Sequence, residues 1–217
     1  MSKFYGTAHR ELQDAFDSRR LADLMEGGVM HGEFAPHEID FIQSRDMFFL
    51  ASVDPTGRPT VSYKGGAPGF VRITGPQSLV FPWYDGNGMF YSAGNIAAKG
   101  KVGLLFIDFA TPNRLRVQGE ARLLRGKAAA QFPGALFVVE TVVESIWVNC
   151  PRYIHPHEKI ANSRYVPDAA GEAPLPGWKR LDIAQEAIRP DDREKVEEAG
   201  GVIDAEAYAG MLQRGEG

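Results

Sequence analysis

KVGLLFIDFATPNRLRVQGEARLL, residues 101–124, reads as two strands joined by a tight turn at ATPN. In the second half, Leu115, Val117, Ala121 and Leu123 fall on one face, and Arg114, Arg116, Gln118, Glu120 and Arg122 fall on the other. That is the period of two of a half-buried strand. The first half, VGLLFIDF, is apolar on both faces and predicts a central or interface strand, for which a second copy of the chain is a natural cover.

Working outward, MFFLASV, TVSYK, FVRI, SLVFPW, MFYS and LFVVETVVESIWV are further β-rich runs, separated by DPTG, GGAPG, TGPQ and YDGNG. Short strands with turn signals about every 10 residues predict a mainly β protein with peripheral helices, its antiparallel sheet closed into a barrel. A doubly wound nucleotide fold is disfavoured. The first 46 residues read as helical. Leu12, Phe16, Leu21, Leu24 and Met25 form an imperfect apolar stripe that stops at Gly27-Gly28, and Pro36 starts a short helix carrying Ile39 and Ile42 inward. The expected organisation is a helical extension over 1–46, the barrel over 47–165 and a C-terminal extension with one helix over 166–217.

The 217 residues are 44% hydrophobic and 24% charged, which suits a globular chain, and the net charge of −4 lacks the footprint of a nucleic-acid binder. Cys150 is the only cysteine and the first 20 residues have no apolar signal core, so the expected location is the cytoplasm. The most apolar stretch, ALFVVETVVESIWV, is cut by Glu140 and Glu144, short of the roughly 20 residues of a membrane span.

The signatures for dinucleotides, nucleoside triphosphates, serine hydrolases and zinc are absent. The polar stretches left are RPTVSYKGGAPGFVRI, with Arg58, Ser62, Lys64 and Arg72, and YDGNGMFYSAGNIAAKGK, with Asn87, Ser92 and Asn95 near a helix start. Arg and Lys suit a phosphate, and free N–H groups at a helix start attract anions. The same residues also fit a solvated hairpin and an ordinary helix cap. Arg114 and Arg116 share a strand face that could crown an anion or a flavin, or simply stay solvated opposite Glu120. Cys150, His155 and His157 lack a fourth ligand at a workable spacing, so no metal is expected.

Three segments in order, FFLASVDPTGRPTVSYKGG, FPWYDGNGMFYSAGNI and KGKVGLLFIDFATPNRLRVQGEARL, together resemble the FMN-binding split-barrel family whose best-known member is pyridoxamine 5′-phosphate oxidase. NCPRYI resembles a segment of a bacterial branch of that family. The resemblance implies a homodimer of six-stranded antiparallel split β-barrels with FMN in the interface grooves. It also implies that Arg58 and Lys64 lie on the strand touching the flavin and its phosphate, with Ser92 near the phosphate; Ser62, between them on the polar stretch, and Asn95 complete the expected cofactor-binding set there. Arg114 stands where the oxidase has a glutamine, and Arg116 matches the arginine of an RxxG pattern. Lys99-Gly100 aligns by spacing with an Asn-Pro of that family, which makes Asn95 a better phosphate candidate than Lys99. The oxidase's SRKG and RLHDR-type segments are missing, so the resemblance points away from oxidation of pyridoxamine phosphate itself. What it implies is an FMN-dependent oxidoreductase of a small organic substrate. The alternatives are a flavin- or haem-binding module for cofactor storage or stress sensing, and a deazaflavin user on the same barrel.

Overall fold

The computed structural model describes residues 2–216. Among them, seven strands run β1 (Met47–Val53), β2 (Pro59–Gly65), β3 (Arg72–Gly75), β4 (Ser78–Trp83), β5 (Lys101–Asp108), β6 (Asn113–Leu124) and β7 (Phe137–Val148). They form one antiparallel sheet in the order β2-β1-β5-β6-β7-β4-β3. The split-barrel class stands, with seven strands in place of six. VGLLFIDF is central, between β1 and β6, and β6 alternates as its sequence predicts.

Closure follows from the phenylalanines. Three strands separate β1 from β4 in the sheet order, so a flat sheet would hold them about 19 Å apart. Yet the Phe48 ring of β1 lies 5.0 Å from that of Phe81 on β4, and 5.2 Å from that of Phe106 on β5. The sheet therefore curls round a core of Phe48, Leu50, Phe81, Leu104, Phe106, Val117 and Ile146. Each such side chain contributes roughly 1.5–3 kcal/mol when fully buried. The end strands β2 and β3 stay unpaired with each other, and that gap is the split.

One glycine carries the sharpest contact. The β6–β7 register slips between Gln118 and Gly119, where β7 holds an extra residue, Glu144. A Cβ on Gly119 would sit 2.1 Å from the Val142 carbonyl oxygen. Lys101 spans the bulge, with Nζ 2.8 Å from Glu120 and 2.7 Å from Glu144.

The N-terminal residues are helical as expected: α1 (Thr7–Ala15), α2 (Arg19–Gly28) and α3 (Pro36–Gln43). Pro36 opens α3, Glu38 accepts from the Ala35 N–H at 2.9 Å, and Ile42 is buried in the barrel core. The expected stripe of α1 and α2 does not turn inward. Arg10 ties the two helices through Asp23, while Leu12, Phe16, Leu21 and Leu24 remain exposed.

MFYS, expected as a strand, instead starts α4 (Tyr91–Lys99), because Phe90 adopts φ 47° and turns the chain out of extended geometry. The chain divides into two compact units, Met1–Ala161 and Asn162–Gly217. In the second, two helices replace the one expected, α5 (Pro190–Glu198) and α6 (Ala205–Gln213). Gly200 and Gly201, at φ 97° and 79°, break the run between them. A buried Lys179–Asp192 pair at 2.9 Å, joined by Arg189 at 3.1 Å, fastens α5 inside that unit. Among the described residues no helix is long and apolar enough to cross a membrane.

Candidate functional site

Alternation along β2 places Thr60, Ser62 and Lys64 on the same face as their β1 partners Ser52, Leu50 and Phe48, which point into the barrel. Because β2 is an end strand, that face opens into the split. The result is a cleft of about 490 Å³, walled by β2, by Trp83 at the end of β4 and Tyr84 after it, and by Met89, Phe90, Tyr91 and Ser92 at the start of α4. Ser62 and Ser92 meet across it, their Oγ atoms 2.9 Å apart.

Lys64 is the cation of the cleft. Its Nζ stands 3.8 Å from the centroid of the Trp83 ring, and Trp83 in turn stacks on Phe137 at 5.4 Å. Desolvation pushes Lys64 down to about 8 from its usual 10.5. Among the described residues no carboxylate pairs with it. A half-buried ammonium with only a ring for company favours an anion that comes from outside.

The start of α4 offers a second attraction. Phe90 has no side-chain oxygen to cap the helix, so the first-turn N–H groups have no side-chain acceptor, and the first two residues of the helix, Tyr91 and Ser92, line the cleft. Two serine hydroxyls, an ammonium and a helix start thus line one cleft. Tyr84, Met89 and Phe90 supply apolar and aromatic surface around them.

The β1–β2 turn is joined to this end by Asp54. Its carboxylate accepts from Arg58 Nε at 2.7 Å and from the Tyr91 hydroxyl at 3.1 Å. The Thr56 hydroxyl and the Arg58 N–H donate to it as well, and these bonds, that of Thr56 first, hold the acid well below the usual carboxylate range. Arg58 itself is 76% exposed at the side chain and does not line the cleft.

The model of the family described as pyridoxamine 5′-phosphate oxidase matches residues 35–137, which hold the cleft and strands β1–β6. Over this segment, just under half of the chain, the protein is similar to the pyridoxamine 5′-phosphate oxidase family. No curated protein matches the chain. Among solved structures, HupZ of Group A Streptococcus is 20% identical, with 53% of this chain and 94% of that one covered and a TM-score of 0.43. HutZ, the haem storage protein of Vibrio cholerae, is 17% identical over 54% of this chain and 94% of that one, with a TM-score of 0.41. An FMN-binding protein of Syntrophomonas wolfei is 9% identical over 64% and 97%, with a TM-score of 0.39.

Of the candidate residues read from the sequence, the structure places Ser62, Lys64 and Ser92 on the wall of one cleft. Arg58 stands one carboxylate away from the cleft wall, through Asp54 and Tyr91. Asn95 is buried and turned toward β1, its Nδ2 donating to Ser52 Oγ at 3.1 Å, and it does not line the cleft. Lys99 closes α4 at the end away from Ser92. Arg114 and Arg116 pair in register with Ile107 and Leu105 on the outer face of the sheet. Arg114 donates to the Cys150 carbonyl at 2.9 Å, and Arg116 lines a shallow groove of about 220 Å³ with Phe49, Val61, Leu105 and Trp147. Within one chain these arginines and Lys64 lie on opposite sides of the sheet. Reading the sequence missed Trp83, Tyr91 and Asp54. The Asp of a DPTG turn was the visible signal for Asp54, but its reach to Tyr91, 37 residues later, has no local signature.

Proposed function

We propose that the cleft binds the phosphate end of FMN and that the protein is an FMN-dependent oxidoreductase of a small organic substrate. The observation that carries this reading is Lys64: a half-buried ammonium with no carboxylate partner among the described residues, in one cleft with two serine hydroxyls and an uncapped helix start, in a segment that the oxidase-family model matches. A dianionic phosphate satisfies all three at once, and charge-assisted hydrogen bonds contribute roughly 1.5–3 kcal/mol each. The aromatic side of the cleft suits a planar ring.

In this reading Lys64 supplies charge, Ser62 and Ser92 fix the phosphate's direction, and Trp83 shields the ammonium from water. The flavin, when bound, supplies the hydride and electron chemistry. The residues around it hold and orient it, and their charge tunes its electron affinity.

A second copy of the chain belongs to the same proposal. Val61, Tyr63, Phe49 and Leu105 form an apolar outer face beside Arg116, and a homodimer covers it and brings the partner's surface toward the split. The deciding experiment is the absorption spectrum and mass of the ligand released from the purified, denatured protein. FMN supports the reading, and haem or a deazaflavin replaces it. Reoxidation of the reduced protein by a metabolite faster than by oxygen separates an enzyme from a storage module.

A further inference from the structure

We propose that Asp54 is a positioning residue: its carboxylate ties the Arg58 guanidinium to the Tyr91 hydroxyl of α4, so that Arg58, outside the residues that line the cleft, presents a fixed Nη edge to a phosphate at the cleft's rim. This rests on the reading of the cleft as a phosphate site.

The two oxygens of Asp54 divide the work. Oδ1 accepts from the Thr56 N–H at 2.9 Å, the Thr56 hydroxyl at 2.7 Å and the Arg58 N–H at 2.9 Å, which together close the β1–β2 turn. The turn needs nothing more. Oδ2 instead accepts from Arg58 Nε at 2.7 Å and from the Tyr91 hydroxyl at 3.1 Å. One oxygen thus joins an arginine of the hairpin to the first residue of α4, whose side chain lines the cleft.

Burial makes this hold specific. The Asp54 side chain is 3% exposed while that of Arg58 is 76% exposed, so the carboxylate is an anchor and the guanidinium an outward arm. Among the described residues the side-chain hydrogen bond of Arg58 runs through Nε alone, leaving the Nη edge for a ligand. An arginine that binds phosphate must give up rotamer freedom, and here Asp54 has already removed it.

Charge and position predict opposite outcomes. Removing the Asp54 charge leaves the region more positive, which by Coulomb's law alone would tighten phosphate binding. Loss of the Nε anchor would weaken it. The test is Asp54→Asn, with affinities measured for both FMN and riboflavin, which lacks the phosphate. The expected result is FMN weakened about tenfold and riboflavin unchanged within about twofold. Arg58→Ala should give the same loss, and the double variant no further loss, because both act through one guanidinium. Thr56→Ala breaks a turn bond of the same carboxylate but spares Oδ2; it should lower the melting temperature and leave the FMN-to-riboflavin ratio intact. Unchanged or tighter FMN binding in Asp54→Asn, or additive losses in the double variant, overturns the proposal.

A second measurement needs no ligand. In ¹⁵N NMR of the free protein, the Arg58 Nε–H should exchange with water more slowly than that of exposed Arg20, and the difference should vanish in Asp54→Asn. Equal exchange in the wild type overturns the proposal whatever the cleft binds. If Lys64→Ala leaves the FMN-to-riboflavin ratio unchanged, the phosphate reading of the cleft fails, and Arg58's role as a phosphate arm fails with it.

Discussion

The Lys64 ammonium sits 3.8 Å from the centroid of the Trp83 ring, a cation on the end strand β2 meeting a ring of β4 across the open side of the barrel. A desolvated contact of this kind is worth roughly 0.5–2 kcal/mol. Desolvation, the one cause of the Lys64 shift, takes it down to about 8.

That drop fixes a pH dependence of stability. Between about 8 and 10.5 the unfolded chain holds more proton on Lys64 than the folded chain does, so this residue makes the unfolding free energy rise with pH across that window. Below about 8 the penalty for keeping the ammonium in the cleft is present in full. Urea unfolding of the ligand-free protein should therefore show wild type gaining on Lys64→Met between pH 8 and pH 10. A constant difference would show that Lys64 is not desolvated.

Ligand affinity should move the other way. A phosphate needs the ammonium charged, so FMN binding should weaken above pH about 8, approaching tenfold per pH unit until the bound-state value is reached. Fluorescence quenching titrations from pH 7 to 9.5 measure this. Affinity that is flat with pH in the wild type, or equally steep in Lys64→Met, would remove Lys64 from the phosphate site.

The strands were legible because their signals are local. Alternation in 114–124 and the apolar run in 102–109 placed β6 and β5 correctly, and Ser62, Lys64 and Ser92 could be chosen by type and by resemblance. What escaped depends on distant partners. Phe90 reads as a strand residue until its φ of 47° starts a helix, and Leu12 and Leu24 read as core, yet both are exposed while Arg10 and Asp23 pair between the two helices. The opposite facing of Lys64 and Arg116 follows from register and sheet order, which the spacing of arginines does not encode.

Thr141 offers a test of the core. Its side chain is fully buried on β7, opposite Leu79 of β4 and Ala121 of β6, and its Oγ1 has no hydrogen-bond partner among the described residues. Leaving a buried hydroxyl unsatisfied costs about 1–3 kcal/mol. Thr141→Val keeps the shape and removes that cost, so it should raise the melting temperature, by about 2–4 °C per kcal/mol for a chain of this size. A clear loss of stability in a thermal melt would mean that the hydroxyl has found a partner, such as a buried water.

Gly119 sets a limit of the opposite sign. A Cβ there would lie 2.1 Å from the Val142 carbonyl oxygen and 3.1 Å from the Val143 Cα, both backbone atoms that cannot rotate away. Gly119→Ala must push β7 off β6 at the bulge, at a cost of about 3 kcal/mol or more. Gly86→Ala, in an open loop with nothing within 4 Å of the new methyl, should stay within about 0.5 kcal/mol of wild type. Comparable losses in denaturant for the two variants would contradict the bulge geometry.

The last prediction concerns the outer face of the sheet. Register aligns Tyr63, Phe49, Leu105, Arg116 and Trp147 in one row across five strands. Val61 and Tyr63 at the end of that face are 65% and 62% exposed. An exposed apolar edge of this kind invites strand pairing unless something covers it. If a second copy is the cover, the wild type should sediment as a dimer at micromolar concentration, with an interface above roughly 1,000 Å². Leu105→Glu places a carboxylate in the middle of the row and leaves the inward residues Leu104 and Phe106 untouched. Dissociation to a monomer with an unchanged circular dichroism spectrum is the expected result, since burying an unpaired charge in an interface is strongly unfavourable. The adjacent Arg116 could soften the effect by pairing with the new acid across β5 and β6. Leu105→Glu combined with Arg116→Gln should therefore dissociate more completely than Leu105→Glu alone. A wild type that remains monomeric at tens of micromolar would overturn the dimer, and a Leu105→Glu variant as dimeric as wild type would move the interface elsewhere.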